Sequence, residues 1–548
     1  MGAYPATAVD VDILLPPNPL PSTGAGRDGA TPRPEVAALP PWTVVHLHGA
    51  RTGAGNDGWT DNAVLPGLAQ LAEYPNDQPS ATMWYHDHAM AVTALNVYSG
   101  LAGMYLIRDA EENALHLPRG EREIPLVVCD RNLDQDENGE YTGDLLYKRL
   151  KLPLTVPDAI QDHVPGTGPF TLVNGVIWPH LDVEPRWYRF RMLNASNFRP
   201  YTFELRDEHG APVNNALYQI GTDSGLLRAP AALDDPNNPA ARGLTLHPGE
   251  RADVLIDFRA FRGTSLTLVN TLLGAVPVPD LISANPDVMQ FRVRSWPAHD
   301  HFKLPATLSP SFKRLTHDAV PKPHEQTVPK PHEHRWLALV GLEGKHPEMW
   351  EMEELEKKDV PPNLPLDGIV QVDVIDDGET VTKTLKRVSR DFKDAATFYV
   401  EQDAWEQWNI INLTSGEATL AHPIHVHLIR FQAIGDQRDV RDVSKFGGTP
   451  GIPFGGTTTP IPLSDKPKDE RTPGEKGWKD TIVLQPGELL SIAGQFGGGS
   501  GRYMYHCHIL EHEDEGMMRT FVVMPEKVMP FDTHPSPHDP HDPDGHDH

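Results

Sequence analysis

Short apolar runs, broken by glycine and proline, set the pattern of this chain. TVVHLHG (43–49), GMYLIRD (103–109), IPLVVCD (124–130), RWYRFRML (186–193), RADVLIDF (251–258), SLTLVN (265–270) and MQFRVR (289–294) occupy the first part. QWNIINL (407–413), LIRFQAIG (428–435), DTIVLQ (480–485), LLSIAGQF (489–496), GRYMYHC (501–507) and MRTFVVM (518–524) follow. Each is β-branched or aromatic-rich and of strand length, and helical periodicity is scarce. Many short strands punctuated by 45 glycines and 54 prolines predict an all-β protein built of sandwiches.

The chain has 548 residues, enough for about three domains. The breaks in pattern place them at 1–115, 116–302 and 336–526. A proline- and histidine-rich linker at 303–335 repeats VPKPHE, and a polar tail occupies 527–548 and is expected to be disordered. Two stretches of the third domain read as insertions. Residues 343–363 predict a short charged helix, and 441–476 a long loop near the cysteine described next. Acidic residues outnumber basic ones, 76 to 48, for a net charge of −28, which disfavours nucleic acid or an anionic membrane as partner. No run is long enough to span a membrane, and the first residues lack the basic and apolar regions of a signal peptide.

The candidate chemistry lies in four histidine clusters. The last is the most informative: His506-Cys507-His508, then His512 and Met517. Thiolate, imidazole and a distant thioether are the ligand set of a blue, electron-transferring copper site. In an extended segment His506 and His508 point away from the face that carries Cys507, so they can serve a second metal centre while covalently joined to the first. His46 and His48, His86 and His88, and His422, His425 and His427 form the other clusters. With Cys507 committed to metal, no disulfide to Cys129 is expected, and Cys129 reads as a buried strand cysteine.

These four motifs, in this order, resemble the multicopper oxidases. The flanking runs DGW, WYHDHAMAVTALNVYSGLAGMYLIRD, VNGVIWPHLDVEPRWYRFRMLNASN, GWKDT and HCHILEHED are similar to the bacterial group containing spore-coat laccase, bilirubin oxidase and phenoxazinone synthase. The resemblance implies three cupredoxin-like Greek-key domains, the middle one a spacer, and four copper ions. His422, Cys507, His512 and the axial Met517 would hold the type 1 copper. His46 and His425 would hold type 2. His48, His86, His88, His427, His506 and His508 would hold the type 3 pair. It also implies that a small aromatic reducing substrate, phenolic or o-aminophenolic, gives single electrons at type 1, and that O2 is reduced to water at the trinuclear cluster. Glu513 resembles the group's proton-relay glutamate and Asp57 its channel aspartate.

The alternatives are a bilirubin oxidase, a metallo-oxidase acting on Cu(I) or Mn(II), and a non-catalytic copper-binding coat protein. Asp87 is expected to orient an imidazole by hydrogen bonding. Met349 and Met352 make only a sparse soft-ligand pair, and the linker and tail histidines read as solvated. Before His46 only one strand is evident, around 9–15, so the first domain is expected to lack strands through N-terminal truncation.

Overall fold

The computed structural model describes residues 7–12, 25–27, 29–151, 163–238, 242–274, 285–316, 334–341, 346–356, 360, 367–376, 378–414, 420–449, 452–457, 459–465 and 468–529. Strands dominate them, as a two-residue apolar period requires, and no helix is long and apolar enough to cross a membrane. The middle part is a sandwich. A seven-stranded sheet runs 176–177, 170–173, 123–131, 187–194, 251–257, 217–222, 225–232, and a five-stranded sheet runs 180–183, 287–293, 265–270, 201–206, 244–246. Between them lies a core that includes Val128, Tyr188, Phe190, Phe203, Val254 and Phe291.

Strand Trp187–Asn194 is buried along its whole length. Tyr188, Phe190 and Met192 face the core, whereas Arg189 and Arg191 point the other way and pair with Glu112, Glu123 and Asp253. Those carboxylates offset the desolvation of two buried guanidinium groups.

The last part is a second sandwich. An eight-stranded sheet packs on a five-stranded sheet ordered 398–401, 518–524, 501–507, 422–426, 481–484, and the core between includes Trp408, Ile424, Tyr505, Cys507, Met517 and Phe521. The first histidine pairs lie on a smaller sheet of three strands, Val45–His48, Ala81–Asp87 and Ala102–Ile107. Strand Thr7–Asp12 pairs in parallel with Tyr141–Lys151, across the boundary expected at 115/116.

Two local expectations are corrected. No helix forms among the described residues of 343–363; Glu348–Leu355 is a strand between His334–Val340 and Glu379–Ser389. Met349 to Met352 are all buried, and successive side chains face opposite sides: Trp350 and Met352 enter one core, Met349 and Glu351 the other side, where Glu351 accepts from Tyr505 and Arg519. The acidic residues suggested a solvated helix, but the strand lies between two others and is buried on both faces from 349 to 352. Within 441–476, the expected long loop carries paired strands Phe446–Thr449 and Ile452–Thr457, anchored by Phe446 and Ile461 beside Trp350.

The linker expected at 303–335 is held down over its first residues, with Leu308 beside Trp187 and Leu315 beside Trp405 and Trp478. Residues 317–333, with both VPKPHE repeats, and 530–548 of the tail lie outside the described residues. Cys129 is buried against Trp84 and Leu193, and both cysteines are free.

Candidate metal centres

Strand register assembles the histidines. His46 stands opposite His86 on the three-stranded sheet, and His425 opposite His506 on the C-terminal one. Residues two apart share a face, so His425 with His427, and His506 with His508, project the same way. His422 and Cys507 project from the other face, and Cys507 Sγ lies 3.5 Å from His422 Nδ1 and 4.0 Å from His512 Nδ1. The short helix Leu510–Glu515 brings His512 back to the cysteine. Met517 follows it, buried in the same apolar cluster, and its carbonyl accepts the Cys507 N–H. Burial pushes the Cys507 thiol up and lowers the His422 ring to about 3. A neutral imidazole is therefore ready to ligate, while the thiol needs a metal ion to lose its proton.

The other eight histidines meet where the first and last parts touch. The ring Nε2 atoms of His88 and His427 lie 3.2 and 3.1 Å from His506 Nε2. His46 stacks on His427 at 3.9 Å and His48 on His425 at 3.6 Å between centroids. His508 stands 5.0 Å from His48 and 5.2 Å from His86. All eight are buried.

Most rings use one nitrogen to hold themselves in place. His46 Nδ1 meets the Asp57 carbonyl at 2.6 Å, His86 Nδ1 the Asp87 carbonyl at 2.8 Å, and His425 Nδ1 the Asp480 carbonyl at 2.8 Å. His427 Nδ1 meets Asp57 Oδ2 at 2.8 Å, and His48 Nε2 meets Asp480 Oδ1 at 3.0 Å. That leaves His46 Nε2, His48 Nδ1, His86 Nε2, His425 Nε2 and both His508 nitrogens buried without a hydrogen-bond partner. Such atoms each cost about 1–3 kcal/mol unless something accepts their lone pairs. Burial also drives the ring pKa values down, to about 3 for His86 and about 4 for His88, which keeps the lone pairs available. Groups such as His46, His48, His86 and His88, His427, His506 bring ligand atoms within 4.8 Å of one another. Imidazole donors and one thiolate suit copper, so the residues fit the group the motifs imply.

Both expected acids are buried beside the cluster. Gly58, at φ +93°, lets the chain pass so close that a Cβ would meet the Val45 carbonyl at 2.5 Å, and this turn brings Asp57 in. Burial pushes the Asp57 carboxyl up to about 8. Glu513 places Oε1 3.3 Å from His88 Nδ1 and Oε2 3.0 Å from His506 Nδ1, ion-pair contacts without full hydrogen-bond alignment. Burial pushes its carboxyl up, but the His506 and His88 rings together outweigh that and hold it at about 2.

Asp87 behaves differently from expectation. Its carboxylate accepts from Val44 N, Ala89 N and Asn96 Nδ2, so it ties the loop, while its backbone carbonyl orients His86. Sequence reasoning assigned no role to Asp480, although GWKDT was noticed, and overlooked Arg251, which binds it; nothing in RADVLIDF singles out that arginine.

Two profiles of the multicopper oxidase family match residues 37–112 and 363–527. The laccase of Bacillus subtilis is 34% identical over 517 residues, covering 91% of this chain and 82% of that protein. Bilirubin oxidase of Albifimbria verrucaria is 29% identical, covering 88% of this chain and 68% of its own. The crystal structure of the McoA multicopper oxidase from Aquifex aeolicus superposes with a TM-score of 0.56 at 25% identity, covering 88% and 84%. The fold, the buried copper-type donor set and these relatives together define a copper-dependent oxidase. The chain belongs to the multicopper oxidases, in their laccase group.

Proposed function

We propose that the chain is a laccase-type oxidase of phenols and o-aminophenols, with one copper held by His422, Cys507, His512 and Met517 and three by the eight clustered histidines. The observation that carries this reading is the joining of the two sites by one covalent run: Cys507 faces His422 and His512, while its neighbours His506 and His508 face the cluster. On the implied division, His46 and His425 hold type 2, and His48, His86, His88, His427, His506 and His508 hold the type 3 pair. Bound copper supplies one-electron acceptance at the first site and four-electron reduction of O2 to water at the second.

The chain's own groups prepare for that chemistry. Carbonyls of Asp57, Asp87 and Asp480 fix the tautomers of His46, His86 and His425. Glu513 and Asp57, each against a ligand ring, are placed to hold and pass the protons that water formation consumes. Met349 and Met352 are both core residues, which gives Cu(I) no thioether approach there. Oxygen uptake with 2-aminophenol, a bulky phenol and Cu(I) tests the reading. It expects the two organic substrates to be preferred; turnover with Cu(I) alone would overturn it.

A further inference from the structure

Arg251 comes from the middle sandwich, yet it is wholly buried among groups from all three parts of the chain. Its Nε donates to the Thr82 carbonyl on the strand that carries His86, at 2.7 Å. Its Nη1 donates to the Gly249 carbonyl at 3.0 Å and to Asp480 Oδ1 at 2.6 Å. Its Nη2 donates to Asp480 Oδ2 at 2.5 Å. The guanidinium fork thus grips both oxygens of one carboxylate, a geometry only arginine provides.

Asp480 in turn governs two rings of the cluster. Its Oδ1 accepts from His48 Nε2 at 3.0 Å, beside the Thr481 hydroxyl that meets the same nitrogen at 2.9 Å, and its backbone carbonyl accepts from His425 Nδ1 at 2.8 Å. The two rings stack with only 14° between their planes, but they are held by opposite nitrogens. His425 therefore presents Nε2 inward, whereas His48 presents Nδ1. Asp480 also lies close enough to His48 and His425 to be counted as a third metal ligand. Its Oδ2 is already filled by Arg251 and by Ser224 at 2.9 Å, and its Oδ1 by Arg251, His48 and the Thr481 hydroxyl, which leaves it an orienting group. The same turn of the middle part approaches the cluster a second time: a Cβ on Gly249 would meet the His508 ring at 2.7 Å.

We propose that Arg251 is a positioning residue for the histidine cluster: its two-pronged hold on Asp480 fixes which nitrogen of His48 faces the metal. The middle part is then more than a spacer. The inference rests on the proposed function, since it supposes that the cluster holds copper. Loss of an outer partner of a ligand histidine costs roughly 10–100-fold in metal affinity.

Arg251→Lys keeps the charge but loses the fork. The test compares full-length parent and variant, each loaded with copper and then titrated with a copper chelator. The blue band reports the Cys507 site, and the electron paramagnetic resonance of the non-blue copper reports the cluster. The inference predicts that the variant keeps its blue band while cluster copper leaves at about 10–100-fold lower chelator concentration, with an altered non-blue spectrum. A variant that is merely less stable would lose both sites together, and one that holds cluster copper as tightly as the parent refutes the inference; either result overturns it. A parent that binds no cluster copper overturns instead the function on which the inference rests. If Arg251→Lys does not fold, Asp480→Asn carries the same test, because it leaves the Arg251 bonds to Thr82 and Gly249 in place.

Discussion

Asp57 Oδ2 lies 2.8 Å from His427 Nδ1, joining the segment after the first histidine pair to the third histidine cluster across 370 residues of sequence. Both groups are buried, so the contact fixes the ring and places an acid at the cluster with one side chain.

Asp57→Asn keeps the shape and removes the proton-carrying group. We expect copper content and reduction of the blue site by substrate to be unchanged, with reoxidation by O2 slowed about 10–100-fold. Stopped-flow reoxidation of the reduced enzyme checks this. A parental rate would remove Asp57 from the account.

Glu513→Gln tests the second acid. It is buried between His88 and His506. We expect the blue band to persist and O2 reduction to slow by about 10²–10⁴-fold, the range of a lost general acid. Retention of the parental turnover number across the pH range would contradict the relay role.

The strands and the histidine clusters were legible in the sequence because both are local signals. An H-x-H pair on an alternating run puts two imidazoles on one face wherever the strand lies. Glu348–Leu355 was misread because a strand buried on both faces has no alternating apolar signal, and its place between two other strands is not visible in its own residues. Arg251 and Asp480 were illegible for a different reason. They are 229 positions apart, and each is unremarkable until the fold brings them together. Glu513 is one of four acids in the run EHEDE, and sequence alone does not tell which are buried.

The metal-free protein should be acid-sensitive. Burial lowers nine imidazoles, among them His86 and His422 to about 3 and His88 to about 4. The unfolded chain, with ordinary histidines near 6.5, binds those protons first. The stability they contribute is present above about pH 6.5 and is lost as pH falls through the folded values, at no more than about 1.4 kcal/mol per pH unit for each ring. Six carboxyls raised by burial act in the opposite sense, and the imidazoles outnumber them. We therefore expect the denaturation midpoint of copper-free protein to fall between pH 7 and 5. A flat or rising midpoint would refute the neutral, buried state of the rings.

Gly249→Ala probes the approach of the middle part to the cluster. At φ +82° with the His508 ring at 2.7 Å from a new Cβ, both backbone and packing resist the change. A loss of about 1–3 kcal/mol is expected, read by chemical denaturation. An unchanged midpoint together with parental copper content would show that the two parts do not press on each other there.

The most direct test of the two-site account is the copper content and visible spectrum of Cys507→Ser beside the parent. Serine supplies no soft sulfur ligand, so the mononuclear site should fail while the eight clustered histidines keep theirs. The account predicts four coppers and a blue band in the parent, and in the variant three coppers, no blue band and no oxidase turnover. A variant that remains blue, or that loses all its copper while still folded, would contradict it.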